Sequence, residues 1–386
     1  MTVRALLVIV TLTLLLASGS PSGSAAQVPA GACRQWTASP AFASQIAAIR
    51  GLVPRMQRAF AAPGLSVAIA AKGKLVWSES CGFADRAKRI PVTRTTQFRV
   101  GSVSKPFTAT TALRLAQQGR LDLDADIRRY VPAFPPSRPR VTVRQLGGHL
   151  AGIRHYQGRA EAVNRTHYRS LAESLTVFID DPLVAEPGTR FSYSSYGFNL
   201  LGAAVESAAG SSFAKAVHQT LLGPLRLRQT TVGGRARGGT RFYEVTNNRH
   251  AVPAPPIDLS DRYPSGGFLS TAEDLVRLGL GVTNRRFLNT SSQKLLFTSQ
   301  HTKGGAATGY GFGFEIHPSP FGVVAGHTGN VVGGTAFVLI HPKTRVVVAL
   351  TTNIGFVTAP HPPDLSGTPD PPQLAVPFIR RVLQRR

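Results

Sequence analysis

The sequence has few acidic residues. Its 386 residues include 19 Asp and Glu against 44 Lys and Arg, which gives a formal net charge of +25. Such an excess suits an anionic neighbour, such as nucleic acid, an anionic lipid surface or an anionic cell envelope. The basic residues are dispersed, however, and the densest groups, RARGGTR (235–241) and RRVLQRR (380–386), lack the interleaved aromatic residues of a single-strand groove. We therefore predict a basic protein that does not bind nucleic acid.

Several enzyme motifs are also missing. The sequence contains no G-x-S-x-G elbow of an α/β-hydrolase, no H-E-x-x-H zinc motif and no Cys/His spacing typical of a zinc site. We accordingly predict no metal and no cofactor. Any hydrolytic chemistry must come from another arrangement of side chains.

Cysteine is scarce, and the N-terminus is typical of an exported protein. Arg4 precedes an apolar run at 5–17 that is too short to span a bilayer, and small residues follow up to a cleavage site after Ala26. We predict a signal peptide at 1–26, although an uncleaved anchor is an alternative. Cys33 and Cys81 can form one disulfide in an oxidising compartment or remain two unpaired thiols.

Strand patterns lie at both ends of the chain, with helix patterns between them. Residues 64–84 read as two strands joined by a turn, and four more strand patterns follow Tyr310. This order predicts an α/β (α+β) fold of two lobes, in which an antiparallel sheet from both chain ends is flanked by helices. We place the sheet lobe at about 40–100 and 305–386, the inserted, mostly helical lobe at about 101–304, and the site between them.

The segment RVGSVSKPFTAT (99–110) joins two serines and a lysine at the start of a predicted helix. Projected at about 100° per residue, the apolar stripe that includes Ala109 extends back through Lys105 to Ser102, whereas Ser104 lies on the other side. An amine that faces a core is desolvated, so its pKa falls and it can accept a proton near neutral pH. We therefore predict that Lys105 activates Ser102 as a nucleophile, in the anion-favouring field of a helix N-terminus.

Two further segments supply the other groups of such a site. EPGTRFSYSSYGFNLLG (186–202) places Tyr193 between a Pro-Gly turn and a helix, where a phenol can relay a proton. GHTGN (326–330) ends an apolar strand, and the backbone N–H that follows Gly329 can form an oxyanion hole with that of Ser102. Together the segments predict acyl transfer to a serine.

Ser-x-x-Lys, then Tyr-x-x, then a basic-Thr-Gly strand, in this order, resembles the penicillin-recognising serine enzymes. GGHLAGIRHY (147–156), DPLVAEPGTRFSYSSYGFNLLG (181–202) and SGGFLSTAEDLVRLG (265–279) look like the class C β-lactamase-related branch, which includes D,D-peptidases, esterases, D-aminopeptidases and the mitochondrial serine β-lactamase-like proteins. The resemblance covers residues 45–355 and implies the two-lobed β-lactamase/transpeptidase-like fold. His149 and His155 either border the site or are structural, and we favour the structural interpretation.

The resemblance also assigns roles to the motif residues. Ser102 matches the acylated nucleophile, Lys105 its base and Tyr193 the proton shuttle of acylation and deacylation. The substrate-binding strand and its second oxyanion donor match His327, Thr328, Gly329 and Asn330.

Two positions depart from the family pattern. Ser195 stands where the Tyr-x-Asn motif has an amide that holds the lysine and binds the substrate carbonyl, and His327 stands where the triplet has a lysine. The second change replaces a permanent cation by one that depends on pH. Both departures weaken the case for an efficient β-lactamase that binds a drug carboxylate. They weaken the case for acyl-serine chemistry much less.

These observations predict a secreted or periplasmic serine hydrolase, with a mature domain at 27–386, that cleaves an amide or ester in a small molecule or peptide. No stable membrane insertion is expected after signal removal, and the sequence assigns no oligomeric state. The alternative is a catalytically weak or inactive module of the same fold that binds a peptide or cell-wall ligand.

Overall fold

The computed structural model describes residues 33–246, 250–356 and 371–384, so the predicted signal peptide at 1–26 lies outside the described residues. The strands are β1 Arg34–Ala38, β2 Gly64–Ala71, β3 Lys74–Asp85, β4 Ile90–Pro91, β5 Phe98–Arg99, β6 Thr231–Val232, β7 Tyr243–Val245, β8 Ala251–Pro253, β9 Phe268–Ser270, β10 Glu315–Ser319, β11 Gly322–Val331, β12 Gly334–His341, β13 Val346–Thr352 and β14 Ile354–Gly355. The α-helices are α1 Ala43–Arg50, α2 Leu52–Ala59, α3 Ser104–Gln117, α4 Val143–Gly147, α5 Arg159–Ala162, α6 Leu171–Leu175, α7 Ser195–Ala209, α8 Phe213–Val217, α9 Tyr263–Gly266, α10 Ala272–Val282, α11 Thr290–Phe297 and α12 Pro371–Leu383.

The main sheet is antiparallel and is built from both ends of the described chain, as the sequence predicts. Its order is β1-β3-β2-β13-β12-β11-β10, with β4 added beside β3. The N-terminal and C-terminal strands join where β2 pairs with β13, with Leu65 opposite Thr352. Every residue of these two central strands is buried, because helices cover both faces of the sheet.

Alternating side chains of the central strands enter two separate cores. Val67 and Ile69 pack with residues of α1, α2 and α12, whereas Ala68 and Ala70 pack with the helices that follow α3. The period of two along a strand thus produces two apolar layers, one on each face. Helix α10 packs on the second face, against β2 and β13. The lobe boundaries given above remain a prediction.

A three-stranded sheet, β5-β9-β6, connects the main sheet to the candidate site. β5 continues into a 3-10 turn at Gly101–Val103 and then into α3. Residues 104–113 of α3 are all buried, so the helix is surrounded by protein rather than resting on one apolar face. This central position fixes the start of α3 firmly.

Two details differ from the sequence pattern. The amphipathic pattern of residues 41–60 predicts one helix, but the structure interrupts it at Gly51, which gives α1 and α2. The strand expected from Tyr310 begins only at Glu315, because Gly313 adopts a φ of 79° that breaks extended backbone. The intervening turn leaves Tyr310 buried, with its side chain directed into the protein.

Cys33 and Cys81 form a disulfide that links the start of β1 to β3. The structure therefore decides between the paired and unpaired alternatives. Among the residues described, no helix combines the length and apolar character needed to cross a membrane.

Candidate active site

Ser102 lies on the 3-10 turn Gly101–Val103, immediately before α3 begins at Ser104. The turn places Ser102 Oγ 3.0 Å from Lys105 Nζ, so the structure brings together the two side chains that the sequence pairs. Ser104 points elsewhere, since its hydroxyl accepts the backbone N–H of Phe268 at 3.1 Å. The geometry thus identifies Ser102 as the serine available to the lysine.

The Lys105 side chain is fully buried. Besides Ser102, its Nζ donates to the carbonyl oxygen of Ser265 at 3.0 Å and to Ser195 Oγ at 3.3 Å. Burial lowers the pKa of this ammonium group from 10.5 to about 7, and the negative charge of Glu315 opposes the shift only in part. A large fraction of Lys105 is therefore an uncharged amine near neutral pH, able to accept the Ser102 proton.

Tyr193 approaches the same oxygen from the segment that precedes α7. Ser194 caps α7, because its hydroxyl accepts the backbone N–H of Gly197 at 2.8 Å. The Tyr193 phenol donates to Ser102 Oγ at 2.8 Å. Burial raises the pKa of Tyr193 above its usual value, although the hydrogen bond with Ser102 opposes this. Near neutral pH, Tyr193 is therefore an uncharged hydrogen-bond donor, whereas Lys105 is the group of the two that can accept a proton.

His149 and His155 hold the backbone beside Tyr193. His149 Nδ1 accepts the N–H of Ser194 at 3.1 Å, and its ring centroid lies 4.4 Å from that of Tyr193. His155 Nδ1 accepts the N–H of Ser195 at 3.2 Å. Burial, reinforced by the charge of Lys105, lowers the pKa of His149 well below 6.5 and that of His155 to about 4. Both rings are thus neutral acceptors that position the segment.

Strand β11 lies directly against the Ser102 turn. A Cβ atom at Gly329 would lie 2.1 Å from the carbonyl oxygen of Val100, and one at Gly101 would lie 2.8 Å from the nitrogen of Asn330. Only glycine at both positions permits the two backbones to approach so closely. As a result, Ser102 and Asn330 line one cavity of about 190 Å³, where the sequence predicts that their N–H groups form an oxyanion hole.

The rest of this cavity has a polar wall. His155 and Ser195 line it, together with Tyr156 and Arg262. The Arg262 guanidinium is buried, pairs with Asp261 at 2.7 Å and lies 4.7 Å from the centre of the Tyr156 ring. Its charge is therefore compensated by protein. Ser195 contributes a hydroxyl to Lys105 where the family has an amide, so one function of the missing amide, holding the lysine, is retained.

His327 is directed into the protein. Its Nε2 lies 2.9 Å from the Tyr310 hydroxyl, its Nδ1 lies 2.5 Å from the carbonyl oxygen of Thr328, and the ring is buried. Burial lowers the pKa of His327, which the nearby Glu315 carboxylate opposes. A neutral phenol donates to Nε2, so the ring proton is on Nδ1. His327 is not among the described residues that line the cavity, and any effect on substrate is therefore indirect.

Glu315 and Tyr310 are components of the site that the sequence analysis missed. Glu315 Oε1 accepts the Thr328 hydroxyl at 3.1 Å and lies 3.4 Å from His327 Nδ1. Burial alone would raise the pKa of Glu315, but His327, His317 and Thr328 together hold it below its usual value. Glu315 is therefore an ionised carboxylate beside a neutral imidazole. The sequence pattern of the YGFGFE segment, which carries both residues, predicts only a strand.

Comparison with known proteins places this chain in a family. A family model described as Beta-lactamase matches residues 50–365. The human protein called serine beta-lactamase-like protein LACTB, mitochondrial, is 30% identical over 323 residues, which are 66% of this chain and 58% of that protein. The chain thus spans less than two thirds of the length of this relative.

Solved structures agree with the predicted fold. The penicillin binding protein from Bacillus halodurans superposes with a TM-score of 0.67 at 26% identity, over 78% of this chain and 94% of that one. The D-amino acid amidase from Ochrobactrum anthropi SV3, solved in complex with D-phenylalanine, gives a TM-score of 0.68 at 21% identity, over 87% and 99%. The second likeness shows the fold alone. Because the family model spans most of the sequence, the chain belongs to the beta-lactamase family, and it has the two-lobed α/β fold.

Proposed function

We propose that the protein is an exported serine hydrolase that forms an acyl-enzyme on Ser102 and cleaves an amide or ester bond. One observation carries this proposal. Ser102 Oγ lies at hydrogen-bond distance from both a buried amine, Lys105 Nζ at 3.0 Å, and a buried phenol, Tyr193 at 2.8 Å. A single oxygen held between a base and a proton donor is the arrangement that acyl transfer requires.

Acylation begins when neutral Lys105 takes the Ser102 proton as Oγ bonds to the substrate carbonyl carbon. The resulting oxyanion accepts the N–H groups of Ser102 and Asn330. The carbon–leaving-group bond then breaks, and Tyr193 gives its proton to the departing nitrogen or oxygen. The Lys105 ammonium returns a proton to the phenol, so the enzyme ends acylated with both groups neutral.

Deacylation uses the same groups in reverse. Water attacks the acyl carbon and loses a proton to neutral Lys105, the ester bond to Ser102 Oγ breaks, and Oγ regains a proton through Tyr193. The product is a carboxylic acid. No separate carboxylate base is needed, because Lys105 has a pKa of about 7 and serves both half-reactions.

The charge of the site favours substrates without a carboxylate near strand β11. The Thr328 hydroxyl is already donated to Glu315, and neutral His327 does not compensate that negative charge. A substrate carboxylate placed there would meet a like charge, which is unfavourable in a partly desolvated cleft. We therefore propose a small neutral or cationic amide or ester, or a peptide bound through its backbone, as the substrate.

Export is supported by the N-terminal pattern and by the Cys33–Cys81 disulfide, since disulfides persist in oxidising compartments. Expression of the full chain in a secreting host, followed by N-terminal sequencing of the secreted protein, tests this part. A mature chain that begins after Ala26 supports it, and an uncleaved chain retained in the cells contradicts it.

Labelling with a fluorophosphonate probe and mapping of the modified peptide by mass spectrometry tests the chemistry. We expect label on Ser102, and its loss in Ser102→Ala together with hydrolysis of p-nitrophenyl esters. Ser104→Ala is the matched control, because it removes a neighbouring serine hydroxyl that does not reach Lys105, and should label normally. Hydrolysis that persists in Ser102→Ala would refute the proposal.

The same variants decide between an enzyme and a binding module. An inactive module would bind peptide or cell-wall fragments without turnover, and its binding would be unaffected by Ser102→Ala. The retained contacts of Ser102 with Lys105 and Tyr193 favour the enzyme.

A further inference from the structure

A second cavity, of about 360 Å³, lies apart from Ser102. It is lined by four arginines, Arg94, Arg226, Arg228 and Arg277, and by one carboxylate, Glu273. In the β5-β9-β6 sheet, β5 and β6 are both antiparallel to β9, and the C-terminal end of β5 leads to Ser102. The residues that line the second cavity come before β5, before β6 and after β9, at the other end of these strands. The two cavities therefore lie at opposite ends of this sheet.

Two of the arginines have acidic partners. Glu273 pairs with Arg94 at 2.9 Å and with Arg277 at 3.0 Å, and Asp274 pairs with Arg277 at 2.6 Å. Both carboxylates have almost no exposed side-chain surface, and each accepts a further hydrogen bond, from Ser78 or from the backbone of Gln229. The charges of Arg94 and Arg277 are thus compensated by buried carboxylates, although 46% and 37% of their side-chain surfaces are exposed.

The other two arginines are uncompensated. Arg226 and Arg228 are exposed, and among the described residues neither guanidinium has a carboxylate or carbonyl partner. Four guanidinium groups therefore line one cavity, and only two carboxylates pair with them: Glu273, which lines the cavity, and Asp274, which does not. The cluster has an excess of two positive charges. Such like charges repel one another unless an anion lies between them.

We propose that this cavity binds an oxyanion with two or more negative charges, of the pyrophosphate class. A guanidinium group can donate two parallel hydrogen bonds to the oxygens of one phosphoryl group. The two unpaired guanidinium groups of Arg226 and Arg228 therefore match two phosphoryl groups. The cavity volume of about 360 Å³ lies at the low end of the range of about 300–1,000 Å³ for ligand pockets. This volume is larger than a single phosphate ion requires. Thr95 and Gln229, which also line the cavity, add neutral donors.

Isothermal titration of the full mature protein with inorganic pyrophosphate tests the proposal, with inorganic phosphate titrated in parallel. Arg226→Gln/Arg228→Gln removes the two unpaired charges and leaves the pairs with Glu273 intact. We expect at least a tenfold weaker affinity for pyrophosphate in this variant, weaker binding of phosphate than of pyrophosphate by the wild type, and unchanged ester hydrolysis at Ser102.

Arg55→Gln/Arg58→Gln is the matched control. These arginines lie exposed on α2, have no side-chain partner among the described residues, and change the net charge equally. This control should bind pyrophosphate within twofold of the wild type. An equal loss in both double variants would assign the binding to net charge alone, and absence of binding to the wild type would likewise overturn the proposal.

Discussion

The Lys105 amine has a pKa of about 7 in the folded protein, against 10.5 for an exposed lysine. If this amine is the base, only its uncharged form is active, and kcat/KM for a neutral ester should rise with pH and level off above about 7. Initial rates at constant ionic strength between pH 5 and 9 measure this. A profile that is flat across pH 6–8 would contradict the assignment.

Burial of this lysine should reduce the stability of the fold. Between pH 7 and 10.5 the unfolded chain holds a proton that folded Lys105 has lost, so the free energy of unfolding rises with pH over this range. The cost at pH 7 is about 4 kcal/mol, offset by the three hydrogen bonds of Nζ. We expect Lys105→Met to be inactive and more stable than the wild type by about 1–3 kcal/mol in urea unfolding at pH 7. A less stable variant would show that those hydrogen bonds outweigh the cost of burial.

The neutral imidazole at His327 places no permanent positive charge beside the Glu315 carboxylate. His327→Lys restores a permanent cation at this position. We expect its kcat/KM for a carboxylate-bearing substrate such as nitrocefin, relative to a neutral p-nitrophenyl ester, to rise about tenfold, which corresponds to about 1.4 kcal/mol. Glu315→Gln, which removes the negative charge without adding a cation, should shift the ratio in the same direction. An unchanged ratio in both variants would contradict this account of substrate charge.

At the scale of single residues, the sequence predicts the contacts of Ser102 well, because a helical spacing of three fixes Lys105 beside it. It does not predict Glu315 or Tyr310. Their positions depend on the turn at Gly313, where a Cβ atom would lie 2.2 Å from that of Ala109. A contact between residues so distant in sequence leaves no local pattern.

At the scale of elements, the approach of β11 to the Ser102 turn sets the geometry of the two N–H donors. Gly329→Ala places a methyl group 2.1 Å from the Val100 carbonyl oxygen, so the strand must move outward. We expect kcat to fall by a factor of about 100 or more, the effect of losing one oxyanion donor. Gly304→Ala is the control, because a Cβ atom there has only an ordinary contact at 3.8 Å. Steady-state kinetics and a melting curve for each variant separate lost activity from lost folding.

The elements themselves follow local rules to different extents. β2 and β3, joined at Lys72-Gly73, and α7, which ends at Gly210, agree with their sequence patterns. The break between α1 and α2 does not, since a glycine within an amphipathic pattern can be tolerated or can end a helix. Tertiary packing decides between these outcomes, and a single sequence does not record it.

At the scale of the molecule, the Cys33–Cys81 disulfide fastens the edge strand β1 to β3 and closes a loop with a sequence separation of 48. A loop of this length stabilises a fold by about 2–4 kcal/mol, mainly through the unfolded chain. We expect Cys33→Ser/Cys81→Ala to lower the free energy of unfolding by that amount. Reductant should lower the urea midpoint of the wild type and leave the variant unchanged, and a wild type that is insensitive to reductant would argue against a structural disulfide.

The central pairing of β2 with β13 also determines when the protein can fold. The Gly64 N–H donates to the Asn353 side chain across 289 positions of sequence, next to the point where the two strands meet. Contacts of such long range form slowly, because the entropy cost of closing a large loop comes before the contacts that offset it. During synthesis β2 cannot pair with β13 until residues 346–352 have left the ribosome. A nascent chain that stays open for so long remains threadable, which is the condition that passage through a narrow translocation channel imposes.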